Sequence, residues 1–438
     1  MKIIIKLNVF WVCISAANIM YGQNQDSSSK FNFHFQQTII TQEHPAFRAD
    51  YSGENSLNNF AEAATSFTST FYFGLRLSNN LGVYFDPEIS GGNGISGAIG
   101  LAGFSNGETF RVSSTNPVMY PARIFLRYVI NLNEAELDTL NNQPNQLYGI
   151  ESKENITIIL GKFGIADYFD NNEYSNDPRS QFLNWSLMNS GAWDYPADTR
   201  GYTWGLRIKY SNPDFALQFA AVMEPLRANG LRMDPNINKA FGLALELDKN
   251  YSLVNAPGIA RLLFFYNRAR MGSYSEVINN PALQMDITKS RKYGRDKLGC
   301  AFNFSQQINK NAGGFIRLSW NDGKNETWAF TEIDRSAAIG FTDNEVIMNK
   351  ISSDLGIAFV INGISSLHSE YLSKGGHGFM IGDGKLNYSP ENIFEAYLKL
   401  KIGRYLELTP DYQFVINPAY NKDRGPVNIF ALRGHTEF

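Results

Sequence analysis

Between Asp167 and Arg200 the sequence reads DYFDNNEYSNDPRSQFLNWSLMNSGAWDYPADTR. Carboxylates, amides, guanidinium groups and indoles lie close together here: Asp167, Asp170, Asn171, Asn172, Asp177, Arg179, Gln181, Asn184, Trp185, Trp193, Asp194, Asp198 and Arg200. These groups suit a neutral polyhydroxylated solute. Arg, Asp, Glu and Asn match hydroxyl edges, and Trp, Tyr and Phe match C–H faces. A carboxylate pair such as Asp167 and Asp170 also brings a glycosidase dyad to mind. Hydrolysis needs one acid with a raised pKa in an apolar pocket. The neighbours here are Asn, Asp and Arg, which favour full ionisation. The same segment also fits an external loop whose tryptophans only pack it.

Other chemical signals are weak. Gly92-Asn93-Gly94-Ile95-Ser96-Gly97 matches G-x-G-x-x-G, but a dinucleotide site needs that motif between a strand and a helix. Its flanks are DPEISG and a Gly/Ala-rich run. The five histidines, at 34, 44, 368, 377 and 435, have no metal-ligand spacing. Three sequons fall within expected strands and carry no weight. No metal and no cofactor are expected. The mild acidity, with no basic cluster, argues against nucleic acid as a partner.

The elements that would position these residues are strands. The chain has 438 residues, 43% hydrophobic and 14% aromatic. Short runs of Phe, Tyr, Val, Ile, Leu and Thr are bounded by Gly, Asn, Asp and Pro, which is strand-and-turn composition. In residues 67–77, Phe67, Phe71, Phe73, Leu75 and Leu77 share a face opposite Thr68, Thr70, Tyr72 and Arg76. In residues 122–132, Ile124, Leu126, Tyr128, Ile130 and Leu132 oppose Arg123, Arg127 and Asn131. A period of two gives each strand one apolar and one polar face. Similar stretches recur at 31–40, 82–90, 155–165, 201–210, 214–223, 238–248, 259–268, 296–306, 313–321, 353–362, 393–402 and 405–416. Fainter ones lie at 108–113, 327–332, 335–342 and 366–372. The chain ends in RGPVNIFALRGHTEF, an alternating stretch that finishes on Phe438.

Two architectures suit this pattern. A soluble sandwich points its apolar faces inward. A membrane barrel points them at lipid and lines its lumen with charge. The aromatic weight and the terminal Phe favour the barrel, because interfacial girdles are aromatic and a barrel in lipid leaves no open edge. The expectation is therefore an all-β transmembrane antiparallel β-barrel of 16–18 strands in a bacterial outer membrane. Residues 1–22 read as a signal peptide, with Lys2 and Lys6 ahead of an apolar run. Removing them leaves Cys300 as the sole cysteine, so no internal disulfide is expected. Residues 23–438 read as one barrel domain with long loops at 86–108 and 167–200.

DPEISGGNGISGAIGLAGFSNGE (86–108), the 167–205 segment, TPDYQFVINPAYNKDRGPVN (409–428) and HPAFRADYSGENSL (44–57) resemble the carbohydrate-selective porin family of the OprB type. The resemblance runs along nearly the whole chain after residue 22 and is faintest over 225–350. It implies an outer-membrane barrel of about sixteen strands that admits small sugars by passive diffusion, with no catalysis. Its constriction would carry charged and aromatic residues. The 167–200 cluster would enter the lumen, and the wall charges Arg76, Asp86, Glu88, Arg123 and Arg127 would complete the ring. Weak binding at several sites is what conduction requires. The expected partners are the sugar, outer-membrane lipid and the barrel-assembly machinery, which would read Phe438. Both a monomer and a homotrimer fit. An envelope hydrolase and a non-conducting adhesin or scaffold barrel remain as alternatives.

Overall fold

A computed structural model describes residues 30–109, 115–330, 332–348 and 351–438. The proposed signal peptide lies outside the described residues, as does most of the faint 108–113 stretch. The first strands are β1 (Phe31–His44), β2 (Glu62–Ser78), β3 (Leu81–Gly92) and β4 (Val118–Asn131). Two short strands follow, β5 (Leu137–Leu140) and β6 (Gly149–Ser152), then β7 (Asn155–Phe163), β8 (Thr203–Ser211) and β9 (Phe215–Met223). Next come β10 (Phe241–Leu253), β11 (Ala256–Ala269), β12 (Arg295–Gln307), β13 (Ala312–Asn321) and β14 (Arg335–Met348). The chain finishes with β15 (Ile351–Gly363), β16 (Glu391–Ile402), β17 (Leu406–Ile416) and β18 (Val427–Glu437). All but β5 and β6 close into one antiparallel barrel of sixteen strands. β5 and β6 pair only with each other.

Closure falls between β1 and β18, from Gln36 opposite Glu437 to Glu43 opposite Phe430. Phe438 continues the ladder. Its N–H donates to the Phe35 carbonyl at 3.0 Å, and its carbonyl accepts from the Phe35 N–H at 2.8 Å. Its ring lies 5.1 Å from that of Phe35 and edge-on to Tyr405 at 6.4 Å. The seam is therefore both hydrogen-bonded and covered by aromatic rings.

The two ends of the barrel differ. At one end strands turn back tightly, as at Val254 and Asn255, whose φ values of +51° and +61° suit a two-residue hairpin. At the other end the connections are long: 45–61, 93–117, 164–202, 224–240, 270–294, 322–334 and 364–390. The apolar faces of the strands point outward. Leu126 is 41% exposed, and Leu160, Leu245, Phe264, Leu318, Ile339 and Leu432 are exposed with it. The polar faces are buried inside, among them Glu88, Glu246, Arg317, Glu395 and Arg433. That inversion of a soluble protein is the arrangement of a barrel in lipid.

Three sequence expectations change. Residues 366–372 form a helix, Ser366–Ser373, not a strand. Ser365 caps it by accepting the His368 N–H at 3.1 Å, and His368, Tyr371 and Leu372 are buried at helical spacing. Residues 327–330 form no strand, because three consecutive N–H groups converge on Asp194. The long loop expected over 86–108 begins only after Gly92, because 86–92 belong to β3. Between β3 and β4 the register shifts, pairing Asp86 with Arg123 but Pro87 with Pro121. The extra residue in β4 is a bulge that lets Tyr120 and Arg123 both face inward.

Leu126 lies near the middle of β4, on its outer face. Leu126→Arg is expected to cost about 2–4 kcal/mol when the barrel is unfolded reversibly from lipid. Arg127→Leu, on the inner face, should cost much less. The reverse order of stabilities would mean that inside and outside had been exchanged.

Candidate functional site

The 164–202 connection turns into the barrel and splits into two parts. The first is an anchor against β10–β17. Asp170 accepts from the Ser190 N–H at 2.5 Å, the Ser190 hydroxyl at 3.0 Å and the Asn303 amide at 2.8 Å. Arg317 donates to the carbonyls of Asp170 at 3.0 Å and Ser175 at 2.7 Å. Asn172 donates to Asn303 at 2.6 Å. Glu395 accepts the N–H groups of Leu183 and Asn184 at 2.5 and 3.0 Å, while Asn184 caps the short helix Trp185–Met188 through Ser186 N–H. Asp194 collects the N–H groups of Trp328, Ala329 and Phe330 within 3.1 Å and faces Lys297 at 3.3 Å. Trp193 is buried against Phe169 and Tyr195. Buried polar groups are costly unless paired, and here strand side chains pair them with loop backbone. This packing fills the β10–β17 side of the lumen.

The second part faces open space on the β1–β4 side. A cavity of about 520 Å³ lies there, lined by Tyr72, Glu108, Arg123, Asp167, Tyr168, Asp177, Arg179, Trp185, Tyr195, Arg200 and Tyr202, among others. Arg179 is the most heavily engaged of these. Its Nε donates to Glu108 at 2.9 Å and its Nη2 to Glu88 at 2.9 Å, while Nη1 reaches Gln36 at 2.8 Å and Thr70 at 3.0 Å. Glu88 also accepts from Thr70 at 2.5 Å, from Tyr120 and, at 3.2 Å, from Tyr202. Arg123 holds Asp167 with two parallel bonds of 2.7 Å and reaches Asp86 at 3.5 Å. Arg200 lies 3.9 Å over the Tyr120 ring, and its N–H donates to Asp198, which faces Lys162 at 3.7 Å. Forked guanidinium–carboxylate pairs of this kind fix geometry as well as charge.

Burial works against the Arg179 charge, but Glu108 and Glu88 outweigh it and hold the guanidinium firmly protonated. Burial raises the carboxyls of Glu108 and Asp198 above the usual range, opposed by Arg179 and Lys162 respectively. Aromatic rings border the same space. Trp185 stacks on Tyr195 (5.9 Å, 7°) and on Phe330 (4.8 Å, 23°), and Tyr195 stacks on Phe330 at 4.4 Å. Trp185 also borders a 70 Å³ space with Glu88, Arg179 and Arg200, and a 20 Å³ space with Phe104 and Phe379 nearer the long loops. The three spaces share this one indole.

The residues singled out from sequence thus separate. Asp167, Asp177, Arg179, Trp185, Arg200 and the wall residue Arg123 border the cavity, and Asp86 and Glu88 brace those arginines. Asp170, Asn172, Asn184, Trp193 and Asp194 lie in the anchor. Asn171 and Gln181 bond within the loop, Gln181 accepting the N–H groups of Asn176 and Asp177. Asp198 sits behind Arg200. Arg76 and Arg127 bond the β5–β6 hairpin, Arg76 to the Tyr148 carbonyl and Arg127 to Glu151 at 2.7 Å. Reading residue types missed Glu108, Lys162, Tyr195 and Tyr202. Glu108 closes the 86–108 segment, and Tyr195 lies inside the 167–200 cluster. The dyad reading is not supported: Asp167 is held by Arg123 and Asp170 faces Arg317 at 3.4 Å, so neither is a free acid in an apolar pocket.

Comparison with known proteins agrees with the barrel. Porin AaxA of Chlamydia pneumoniae is 23% identical over 290 residues, covering 64% of this chain and 55% of that protein. Porin AaxA of Chlamydia abortus is 22% identical over 304 residues, covering 68% and 58%. The chain spans little more than half the length of these relatives. Pseudomonas putida OprB at high pH superposes with a TM-score of 0.68 at 14% identity, covering 93% of this chain and 94% of that one. The outer membrane channel DcaP of Acinetobacter baumannii superposes at 0.51 and 9% identity, covering 95% and 99%. These likenesses establish the fold, a closed antiparallel β-barrel. The family described as "Carbohydrate-selective porin, OprB family" matches residues 54–438. With that match spanning most of the sequence, the chain belongs to the OprB family of carbohydrate-selective porins.

Proposed function

We propose that the barrel is a passive channel for small sugars and that the 520 Å³ cavity is its constriction. The observation that carries the reading is that the ion-paired Arg179, Glu108, Arg123 and Asp167 line one space together with the stacked Trp185 and Tyr195. A pyranose exchanges hydration at its edges for the charged pairs and lays a C–H face on the indole. A charged solute of equal size meets fixed charges and a desolvation cost. The guanidinium groups are already held by carboxylates, so the binding they offer a neutral polyol is weak, which suits flux.

Arg179→Ala and Trp185→Ala should each slow sugar-driven liposome swelling several-fold, while the barrel stays heat-modifiable. Arg179→Ala should also raise cation preference in planar bilayers, because Glu88 and Glu108 lose their shared partner. Unchanged sugar rates in both folded variants would move the constriction elsewhere.

The pH response follows from Glu108. Its native carboxyl titrates above the usual range, so keeping it ionised costs stability at neutral pH, and that cost is relieved as pH falls through its native value. Acidification from neutral pH through the native value of Glu108 should therefore shift selectivity toward anions without unfolding the barrel. Glu108→Gln should show the shift already at neutral pH. A reversal potential that stays constant over this range refutes the assignment.

We further propose that the end of β18 is read during assembly by the barrel-assembly machinery. The support is the position of Phe438 at the closing seam, paired with Phe35. Phe438→Ala should lower the folded amount in the outer membrane more than the conductance of each assembled channel. Normal surface levels with altered conductance would reverse the assignment.

A further inference from the structure

The connection between β4 and β7 is out of keeping with its end of the barrel. Its neighbours there are tight turns, at 79–80, 212–214, 254–255 and 403–405, yet this one runs from 132 to 154. It forms the β5–β6 hairpin, and the tip of that hairpin folds up into the lumen. Asn142 accepts the Asn32 amide at 2.8 Å and bonds His34 Nε2 at 3.1 Å. Asn32 also donates to the Gln146 carbonyl at 3.0 Å. Asn145, at φ +58°, donates to Asp86 at 2.9 Å, the same carboxylate oxygen that Arg123 approaches. Leu147 is buried among Tyr84, Phe125, Ile159 and Phe163. Arg76 and Arg127 fasten the return strand. The hairpin is therefore pinned to β1, β2, β3 and β4, and Gln143, Pro144, Asn145 and Gln146 line the 520 Å³ cavity.

We infer that this hairpin tip is a second selectivity element, an amide-lined floor that meets the sugar on the turn side of the charged constriction and limits the length of saccharide that passes. The inference rests on the sugar-channel reading above. The cavity has unlike walls. On the long-loop side the contacts are ion pairs and aromatic rings. On the turn side the hairpin adds the neutral amides of Gln143 and Gln146, with Asn145 held to Asp86 and Glu437 of β18 in the same lining. A monosaccharide turning within the cavity trades one set for the other. A longer saccharide must pass the tip while still held above, and the pinned hairpin leaves it no slack.

The test uses the full-length channel in liposomes and planar bilayers, with glucose and maltose as probes. In one variant residues 141–147 are replaced by a two-glycine link. In a second, Gln143, Asn145 and Gln146 are all changed to Ala, which keeps the hairpin length if the first variant fails to fold. Shortening should raise maltose flux relative to glucose about threefold or more and increase single-channel conductance. The triple substitution should lower glucose flux about two- to threefold, as expected from the loss of one or two modest hydrogen bonds. Both effects should be larger when sugar is added from the turn side. If the unaltered channel passes neither sugar, the channel reading falls. If it passes glucose and either folded variant keeps the original glucose-to-maltose ratio and side dependence, the hairpin is structural only and this inference is overturned.

Discussion

Lipid offers no hydrogen bonds, and that single deficit organises this molecule. Every strand of the wall must be paired on both sides, so β18 returns to β1 and the ladder runs on to Phe438, which exchanges both backbone bonds with Phe35. Closure forces the alternating side chains into two populations. One set faces hydrocarbon. The other is collected inside a ring where charge has no bulk water to itself and must find partners.

Those partners come from the long connections. The strand wall carries Arg317, Glu395, Arg433, Lys297 and Glu246 inward, and the 164–202 segment meets them largely with backbone carbonyls and N–H groups. Arg433, for example, bonds the carbonyls of Pro178 and Gln181. The loop is folded by the barrel's buried charges more than by its own residues. That explains how a segment with only a three-residue 3-10 turn and a four-residue α-helix holds a fixed course across the lumen. Its free edge then presents Arg179 and Trp185 toward the part of the wall where β1–β4 carry Gln36, Thr70, Glu88 and Arg123.

The barrel was legible in the sequence because a period of two is local and repeats. The faces of 122–132 could be assigned from alternation alone, and Leu126 and Arg127 point as that pattern requires. The faint 335–342 stretch is part of β14, while 366–372 is a helix: burial at 368, 371 and 372 follows the helical period, but SLHSEYL is too short and too polar to show that period by itself. The β5–β6 hairpin escaped because LDTL and GIES are too short to show alternation. Composition singled out a segment that borders the cavity but did not separate its members into cavity lining and anchor. Asp167 and Asp170 are three residues apart and chemically identical. One meets Arg123 at the cavity and the other meets Arg317 in the anchor. Which arginine a carboxylate meets depends on a strand more than forty or a hundred residues away, and no local pattern carries that information.

The division of the lumen into a solid half and an open half has an evolutionary consequence. Residues that hold the loop and residues that line the cavity are different residues, fastened to different strands. Asp194 and Asp170 can stay as they are while positions such as Asp177, Met188 and Asn189, on the cavity rim, drift. New solute preferences are then reachable by single substitutions that leave the scaffold's buried charges satisfied. A lineage carrying this barrel is thus free to alter the lining of its lumen one side chain at a time, without first rebuilding the wall.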